Sequence, residues 1–151
     1  FDKIQHLIEV GIKEDGATVI AGGLGRPEGL NRGYYVRPTI FADVDNTARI
    51  NREEIFGPVM TIMPFDTEEE AIAIANDTPY GLTNYIQCGD QEQRQRVARQ
   101  LRSGMVETNS VGFGMGSPFG GYKQSGNGRE GGIFGLHEFM EIKAVSCWED
   151  V

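Results

Sequence analysis

Small and apolar residues recur at helical spacing in the first part of the chain. They are Ile4, Leu7, Ile8, Gly11 and Ile12. This spacing predicts an amphipathic helix from Asp2, whose side chain is placed to cap it, to Glu14. Because the helical pattern begins almost at Phe1, we expect the chain to be part of a longer polypeptide. The β-rich run 17–21 then predicts a short strand.

Apolar and alternating runs further along the chain predict strands that interleave with helices. The predicted strands cover 34–41, 59–65, 83–88, 105–108 and 142–148. Three further helices are predicted: one begins at Thr67, one follows Asp90 and one covers 132–140. Thr67 and Glu70 form a capping-box pattern, and Asp90 with Gln93 resembles a second cap. Pro38 cannot donate to a sheet, so it interrupts its strand or places it at an edge. The alternation predicts an α/β fold that ends in an edge strand.

The composition is typical of a globular protein with a packed core. Hydrophobic residues make up 39% of the 151 residues, and 14 Lys and Arg against 22 Asp and Glu give a net charge of −8. This apolar content excludes a disordered acidic tail, and no run approaches the roughly 18 apolar residues of a membrane span. The N-terminus has no basic-then-apolar signal pattern, so we expect a cytoplasmic protein. The acidic balance argues against nucleic acid as a partner.

Side chains that bind metals or act as nucleophiles are scattered along the sequence. Cys88 and Cys147 form no CxxC motif, and His6 and His137 have no partner at helical spacing. The sequence therefore supports neither a disulfide framework nor a zinc site. Neither cysteine lies in a visibly electropositive environment, so we interpret both as buried structural residues.

Residues 126–131 match the pattern GxGxxG, which joins a strand to a helix in dinucleotide-binding folds. Glu149 follows about twenty residues later, as the ribose-binding acid does in such folds. However, residues 119–125 form a glycine-rich loop where this fold requires a strand. We therefore favour a tight turn packed against other backbone, and a free-standing nucleotide-binding domain stays open as an alternative.

A charged turn precedes the strand predicted at 59–65. Glu53 and Glu54 stand just before Phe56 and a Gly-Pro pair, where neither helix nor strand formation requires them. The turn is either a solvated entry to the strand or a ligand site. In the second interpretation one carboxylate accepts hydrogen bonds from a polar ligand such as a ribose diol, and Phe56 offers a flat apolar face. Phe119, which stands among glycines, similarly lines a pocket or fills the core.

Four co-linear segments closely resemble motifs of the aldehyde dehydrogenase superfamily. They are GYYVRPT at 33–39, EEIFGPV at 53–59, the run from Glu70 to Leu82, and PFGGYKQSGNGREG at 118–131. The resemblance covers nearly the whole chain. It implies that residues 1–140 are the C-terminal part of the family's catalytic domain and that residues 141–151 form an oligomerisation strand.

The resemblance implies roles for four residues at the ligand sites. Glu54 matches the glutamate that binds the nicotinamide ribose, and Phe56 matches the aromatic residue that packs near the nicotinamide ring. Phe119 matches a loop position that borders the aldehyde pocket. Phe113 is a looser candidate for the same pocket, because the surrounding stretch varies among family members.

Further roles follow from one branch of the family and from its oligomers. The segment from Lys123 to Gly126 matches a site where backbone carbonyls hold a monovalent cation such as K+, and Glu130 matches a proton-relay residue. The last strand, predicted at 142–148, matches the arm that pairs with a neighbouring subunit. The resemblance therefore implies a homo-oligomer, a dimer or tetramer.

The activity implied by the resemblance is oxidation of an aldehyde to its carboxylic acid with NAD or NADP. Neither Cys88 nor Cys147 matches the family's nucleophile motif, so we expect the 151 residues alone to be inactive. A non-catalytic interaction module, which associates through its unpaired final strand, is kept as a second alternative.

Overall fold

Strands and helices alternate along residues 1–147, the part of the chain that the computed structural model describes. The elements are α1 (Asp2–Lys13), β1 (Thr18–Ala21), β2 (Thr39–Ala42), α2 (Arg49–Arg52), β3 (Val59–Thr61), α3 (Glu68–Asn76), β4 (Thr83–Ile86), α4 (Gln91–Gln100), β5 (Met105–Thr108), a 3-10 turn (Lys123–Ser125) and α5 (Gly132–His137). This order confirms the α/β class. The chain divides into two compact units, Phe1–Ile74 and Ala75–Val151.

The first unit is built on a three-stranded sheet with the order β1-β2-β3. Strands β1 and β2 are antiparallel, whereas β2 and β3 are parallel. The apolar face of α1 packs on this sheet, so that Leu7, Ile8 and Phe41 are almost completely buried. Ile50 and Ile55 belong to the same cluster. The core therefore extends from α1 to the turn that follows α2.

Local signals in the first unit were correct in part, since β3 ends at Thr61, whereas we expected this strand to reach residue 65. The Thr67 hydroxyl accepts a hydrogen bond from the Glu70 amide at 3.1 Å, and the Glu70 carboxylate accepts one from the Asp66 amide at 2.8 Å. The predicted Thr67 cap is thereby confirmed, whereas the reciprocal bond of a capping box comes from the Asp66 amide and not from that of Thr67. The cap expected from Asp2 is wrong, because α1 starts there without any side-chain cap hydrogen bond. Pro38 interrupts its strand, since β2 begins only after it.

The second unit contains a two-stranded parallel sheet, β4 with β5, and few buried apolar side chains. The Asp90 carboxylate accepts a hydrogen bond from the Gln93 amide at 2.6 Å, which confirms the predicted cap of α4. Asn76 joins the ends of two helices, because its side chain donates to the Gln100 carbonyl at 2.9 Å and accepts from the Arg102 amide at 2.6 Å. Polar contacts thus provide much of this unit's cohesion.

The C-terminal part differs from the predictions. Helix α5 ends at His137, whereas we expected it to reach residue 140. Residues 142–147 form no strand, so the prediction is wrong for this described part, and Trp148 lies outside the described residues. Ile142 is fully exposed and Val145 is mostly so. A strand needs a partner for its backbone N–H and C=O groups, and residues 1–147 provide none for this segment.

No helix within residues 1–147 combines the length and the apolar character that a bilayer-crossing segment requires.

Candidate functional site

The turn with Glu54 and Phe56 lies between α2 and β3 and is fixed from several sides. Ile55 is buried in the core of the first unit, and the Lys3 ammonium donates to the Glu54 carbonyl at 2.6 Å. A Cβ atom on Gly57 would lie 2.6 Å from the Ile4 side chain, so glycine permits close packing on α1. The backbone of the turn is therefore held by the unit's packing.

The two candidate side chains of this turn are free to meet a ligand. Phe56 has a φ of +57°, a left-handed conformation that is rare for a bulky residue. Its ring is 83% exposed. The Glu54 carboxylate is also exposed and forms no hydrogen bond within residues 1–147, whereas neighbouring Glu53 pairs with Arg49 at 3.2 Å. A strained backbone at an exposed aromatic residue is typical of functional sites.

This arrangement suits the chemistry that the sequence suggested. An ionised carboxylate with free oxygens accepts hydrogen bonds from a diol, and an exposed ring offers a flat apolar face to a planar group. Neither side chain contributes to the core. Both side chains are accessible, and the ligand site at this turn stays a prediction.

A cleft of about 370 Å3 lies in the second unit and brings several candidate residues together. Its lining includes Leu82, Phe119, Gly126, Arg129, Glu130 and Glu138. Phe119 and Glu130 face each other as an antiparallel bridge, in which each amide donates to the other's carbonyl at 2.7 Å. The structure therefore places the predicted pocket residue beside the predicted proton-relay residue.

Glycines allow the close backbone approach that forms this loop. A Cβ atom on Gly120 would overlap the carbonyl oxygen of Gly128 and lie 2.8 Å from the Arg129 guanidinium. A Cβ atom on Gly104, which precedes β5, would overlap the carbonyl oxygen of Gly120. The loop is therefore a compact structure that only glycine at these positions permits.

Lys123, Gly126 and Phe113 are placed differently from one another. The Lys123 ammonium donates to the carbonyls of Asn76 and Thr78 at 2.8 and 3.0 Å, where it neutralises the C-terminal end of α3. The Lys123 carbonyl accepts the Gly126 amide at 3.3 Å and closes the 3-10 turn. Cation binding at this segment stays a prediction.

Phe113 is half-exposed in the loop after β5 and is not part of the cleft.

The GxGxxG segment lacks the setting that a dinucleotide-binding fold requires. Strand β5 ends at Thr108, and the residues before Gly126 form a 3-10 turn. The helix that follows, α5, has only 6 residues. The segment is a tight turn packed against other backbone, as the favoured interpretation held, and the nucleotide-binding alternative is not supported.

The two cysteines are less buried than we expected. Cys147 is exposed, so its assignment to the core is wrong, and Cys88 is only partly buried. The backbone of Cys88 is bound by the Asn109 side chain at 2.9 and 3.0 Å and by the Arg94 guanidinium at 2.6 Å. Without a strand partner for residues 142–147, Cys147 has nothing within residues 1–147 to cover it.

Shifted pKa values occur on surface carboxyl groups of the first unit. Hydrogen bonding and the charge of Lys13 lower the pKa of Glu9, and hydrogen bonds from Thr47 lower the pKa of Asp45. Neither Glu9 nor Asp45 is one of the candidate site residues. Among residues 1–147, no group of three or more His, Cys, Asp or Glu side chains is placed to hold a metal ion.

Arg129 is a residue of the cleft that sequence reasoning missed. Its guanidinium donates to three backbone carbonyls of the glycine-rich loop and lies 5.7 Å from the centre of the Tyr122 ring. The sequence offers a weak signal for it, namely an isolated arginine in a glycine-rich segment. Its acceptors are backbone atoms, which no residue pattern identifies.

One family accounts for nearly the whole chain. A sequence model of the aldehyde dehydrogenase family matches residues 1–145. The chain is 54% identical over 149 residues to 3-succinoylsemialdehyde-pyridine dehydrogenase from a Pseudomonas species. That alignment covers 99% of this chain and 31% of the relative. The chain thus spans less than a third of this relative's length.

Solved structures show the same similarity. An aldehyde dehydrogenase from Bartonella henselae is 59% identical with a TM-score of 0.93, over 97% of this chain and 31% of that one. A mutant of aldehyde dehydrogenase C from Pseudomonas syringae, in complex with NAD+ and octanal, is 49% identical with a TM-score of 0.92. The match covers 95% of this chain and 30% of that one.

Proposed function

Since the chain belongs to the aldehyde dehydrogenase family, we propose that the protein oxidises an aldehyde to its carboxylic acid with NAD or NADP as hydride acceptor. The chain's similarity to a relative solved with NAD+ and octanal supports this proposal. Within the described residues, the observation that carries it is the pair of free side chains at the turn after α2, Glu54 and Phe56.

Glu54 and Phe56 supply binding and orientation at the nicotinamide end of the cofactor. The Glu54 carboxylate accepts hydrogen bonds from the ribose hydroxyls, and the Phe56 ring packs beside the nicotinamide. Because Ile55 anchors the backbone between them, both side chains are held before the ligand arrives. A preorganised site orders fewer groups on binding, which favours affinity. NAD or NADP, when bound, supplies the hydride acceptor.

The cleft in the second unit supplies part of the substrate environment. Phe119 presents an apolar wall to the aldehyde, and its backbone bridge to Glu130 keeps that carboxyl group beside the cleft. A carboxyl group at this place transfers protons to solvent when its side chain reaches water. Glu130 is exposed, so it satisfies this condition.

The function is tested with the full-length protein, an aldehyde panel and both cofactors, with NADH or NADPH formation as the signal. The panel includes octanal and a pyridyl semialdehyde, because the relatives above are named for or complexed with such compounds. We expect one cofactor and one aldehyde class to give turnover. The 151 residues alone are expected to give none, and turnover by them would contradict our expectation that neither Cys88 nor Cys147 is the nucleophile.

The role of Glu54 has a matched control in its neighbour. Glu54→Gln removes the charged acceptor, so we expect the KM for the cofactor to rise about tenfold, as loss of a charge-assisted hydrogen bond implies. Glu53→Gln breaks only a surface ion pair with Arg49, so its KM is expected to stay within about twofold of the wild-type value. Equal effects of the two substitutions would contradict the ribose-binding role.

We also propose a cytoplasmic homo-oligomer, a dimer or tetramer, in which residues 142–147 pair with a second copy. The full exposure of Ile142 and the lack of a strand partner support this arrangement. Deleting residues 142–151 is expected to lower the number of subunits in the particle, as calculated from the molar mass measured by light scattering.

We further propose that K+ binds at the segment from Lys123 to Gly126, and this is tested by replacing potassium with choline in the activity assay. An unchanged number of subunits or an unchanged rate would contradict the corresponding proposal.

A further inference from the structure

We propose that Arg129 is a positioning residue, which holds Phe119 and Glu130 in their places at the cleft. The catalytic consequence of this role rests on the function proposed above, whereas its structural part does not. One guanidinium nitrogen makes the contacts on which this role depends. Arg129 Nη1 lies 2.9 Å from the Gly121 carbonyl oxygen, 3.1 Å from that of Asn127 and 2.9 Å from that of Gly128.

These contacts close the loop from opposite sides. Asn127 and Gly128 precede Arg129 directly in the chain, while Gly121 belongs to the segment that enters the loop. The Phe119–Glu130 bridge lies immediately outside this closure, on either side of it. A cation that attracts carbonyls of both segments therefore keeps them at the separation that the bridge requires. Charge-assisted hydrogen bonds are stronger than the neutral bonds that form the bridge itself.

The loop is held around its 3-10 turn by other contacts, since the Tyr122 amide donates to the Gly81 carbonyl at 2.8 Å and the Gln124 amide to the Pro79 carbonyl at 3.0 Å. It contains Gly120, Gly121, Gly126 and Gly128, which have high conformational freedom and no side chains to pack. Phe119 is half-exposed, so burial in the core does not fix its ring. Among the polar contacts that place the Phe119–Glu130 pair, Arg129 supplies one to Gly121 across the loop and two to the residues directly before it.

Two neighbours hold Arg129 itself. Its guanidinium carbon lies 5.7 Å from the centre of the Tyr122 ring, within the range of a cation–π contact. Its backbone amide donates to the Glu138 carboxylate at 3.3 Å, which connects the loop to the end of α5. The planar guanidinium is well suited to this place because it stacks on an aromatic ring while donating in its own plane.

The test compares Arg129→Met and Arg129→Lys in the full-length protein with Arg99→Met as the control. Arg99 is exposed on α4 and its side chain has no hydrogen bond within residues 1–147. The first measurement is amide hydrogen exchange at Phe119 and Glu130, the two donors of the bridge. We expect exchange to be about tenfold faster in Arg129→Met, which corresponds to the loss of about one net hydrogen bond.

Arg129→Lys keeps a cation that donates to carbonyls, so we expect it to restore part of the protection. Amides of β4 and β5 and all amides of Arg99→Met are expected to exchange at wild-type rates. If Arg129→Met also speeds amide exchange in β4 and β5, the proposal is tested with Arg129→Lys, because this variant keeps the charge of the side chain. Wild-type exchange at Phe119 and Glu130 in Arg129→Met would overturn the proposal, as would loss of protection in Arg129→Lys equal to that in Arg129→Met.

The second measurement separates positioning from cofactor binding. In Arg129→Met we expect kcat with the aldehyde to fall about tenfold while the KM for the cofactor stays within about twofold. Parallel changes in both quantities would show a general structural defect and would overturn the positioning role. If the wild-type protein oxidises no aldehyde, the proposed function fails, and the exchange result still decides what Arg129 does to the loop.

Discussion

The two units hold their candidate residues by different means. In the first, the turn with Glu54 and Phe56 is anchored by Ile55 in an apolar cluster that includes fully buried Phe41. In the second, the loop with Phe119 and Glu130 depends on backbone hydrogen bonds, close glycine contacts and one guanidinium. An apolar anchor distributes its stabilisation over many contacts, whereas a polar loop depends on single groups with defined geometry.

This difference has consequences for how each region responds to change. Loss of a buried apolar side chain should destabilise the first unit as a whole, because its cluster joins a helix and a sheet. Loss of a polar contact in the second unit should act more locally. Substitutions in each unit test this contrast, and we expect the largest effect in the first unit.

Phe41→Ala is expected to be the most damaging change, because Phe41 is 0% exposed at the centre of the cluster. Truncation of such a phenylalanine removes buried area and leaves a cavity, so the free energy of unfolding should fall by about 3–5 kcal/mol. Phe65→Ala is the matched control, since Phe65 is 60% exposed. Denaturant unfolding measures both, and equal effects would contradict an apolar anchor in the first unit.

Gly104→Ala tests the close backbone approach in the second unit. The added Cβ atom would overlap the Gly120 carbonyl oxygen, so the loop must move, and we expect a loss of about 1–3 kcal/mol. Gly89→Ala is the control, because nothing lies within 4 Å of a Cβ atom there and φ is not left-handed. That variant should be neutral or slightly more stable. A thermal midpoint for Gly104→Ala equal to that of Gly89→Ala would show that the loop tolerates displacement.

Sequence patterns predicted the features that depend on near neighbours. The caps at Thr67 and Asp90 involve residues three positions apart, and the interruption at Pro38 follows from its missing N–H group. The strand predicted at 142–148 failed for its described part because alternation indicates a β-compatible surface without supplying a partner. Whether two strands run parallel or antiparallel likewise depends on distant segments.

The candidate site was predictable only in part, for the same reason. Family motifs identified Glu54, Phe56 and Phe119 as candidates, but no residue pattern indicated the left-handed φ of Phe56, which lies between buried Ile55 and Gly57. The three acceptors of Arg129 are backbone carbonyls, which leave no trace in the residue pattern. Contacts between a side chain and backbone carbonyls are thus the part of the site that the structure alone reveals.

Asn76→Ala should have the smallest of these effects and would sharpen the contrast most directly. The substitution removes the contacts with the Gln100 carbonyl and the Arg102 amide, which join the ends of α3 and α4. Arg102 is exposed, so water can replace part of what is lost, and we expect a decrease of about 1–2 kcal/mol in the free energy of unfolding.

Asn127→Ala is the control for this change, because its exposed side chain has no hydrogen bond within residues 1–147. Denaturant unfolding gives the difference in the free energy of unfolding between the two variants. Amide exchange shows which residues lose protection in each variant. If polar contacts hold the second unit locally, Asn76→Ala speeds exchange at the Arg102 amide and leaves the Phe119–Glu130 bridge unchanged. A loss as large as that of Phe41→Ala would instead mean that one polar group supports the unit as a buried core residue does.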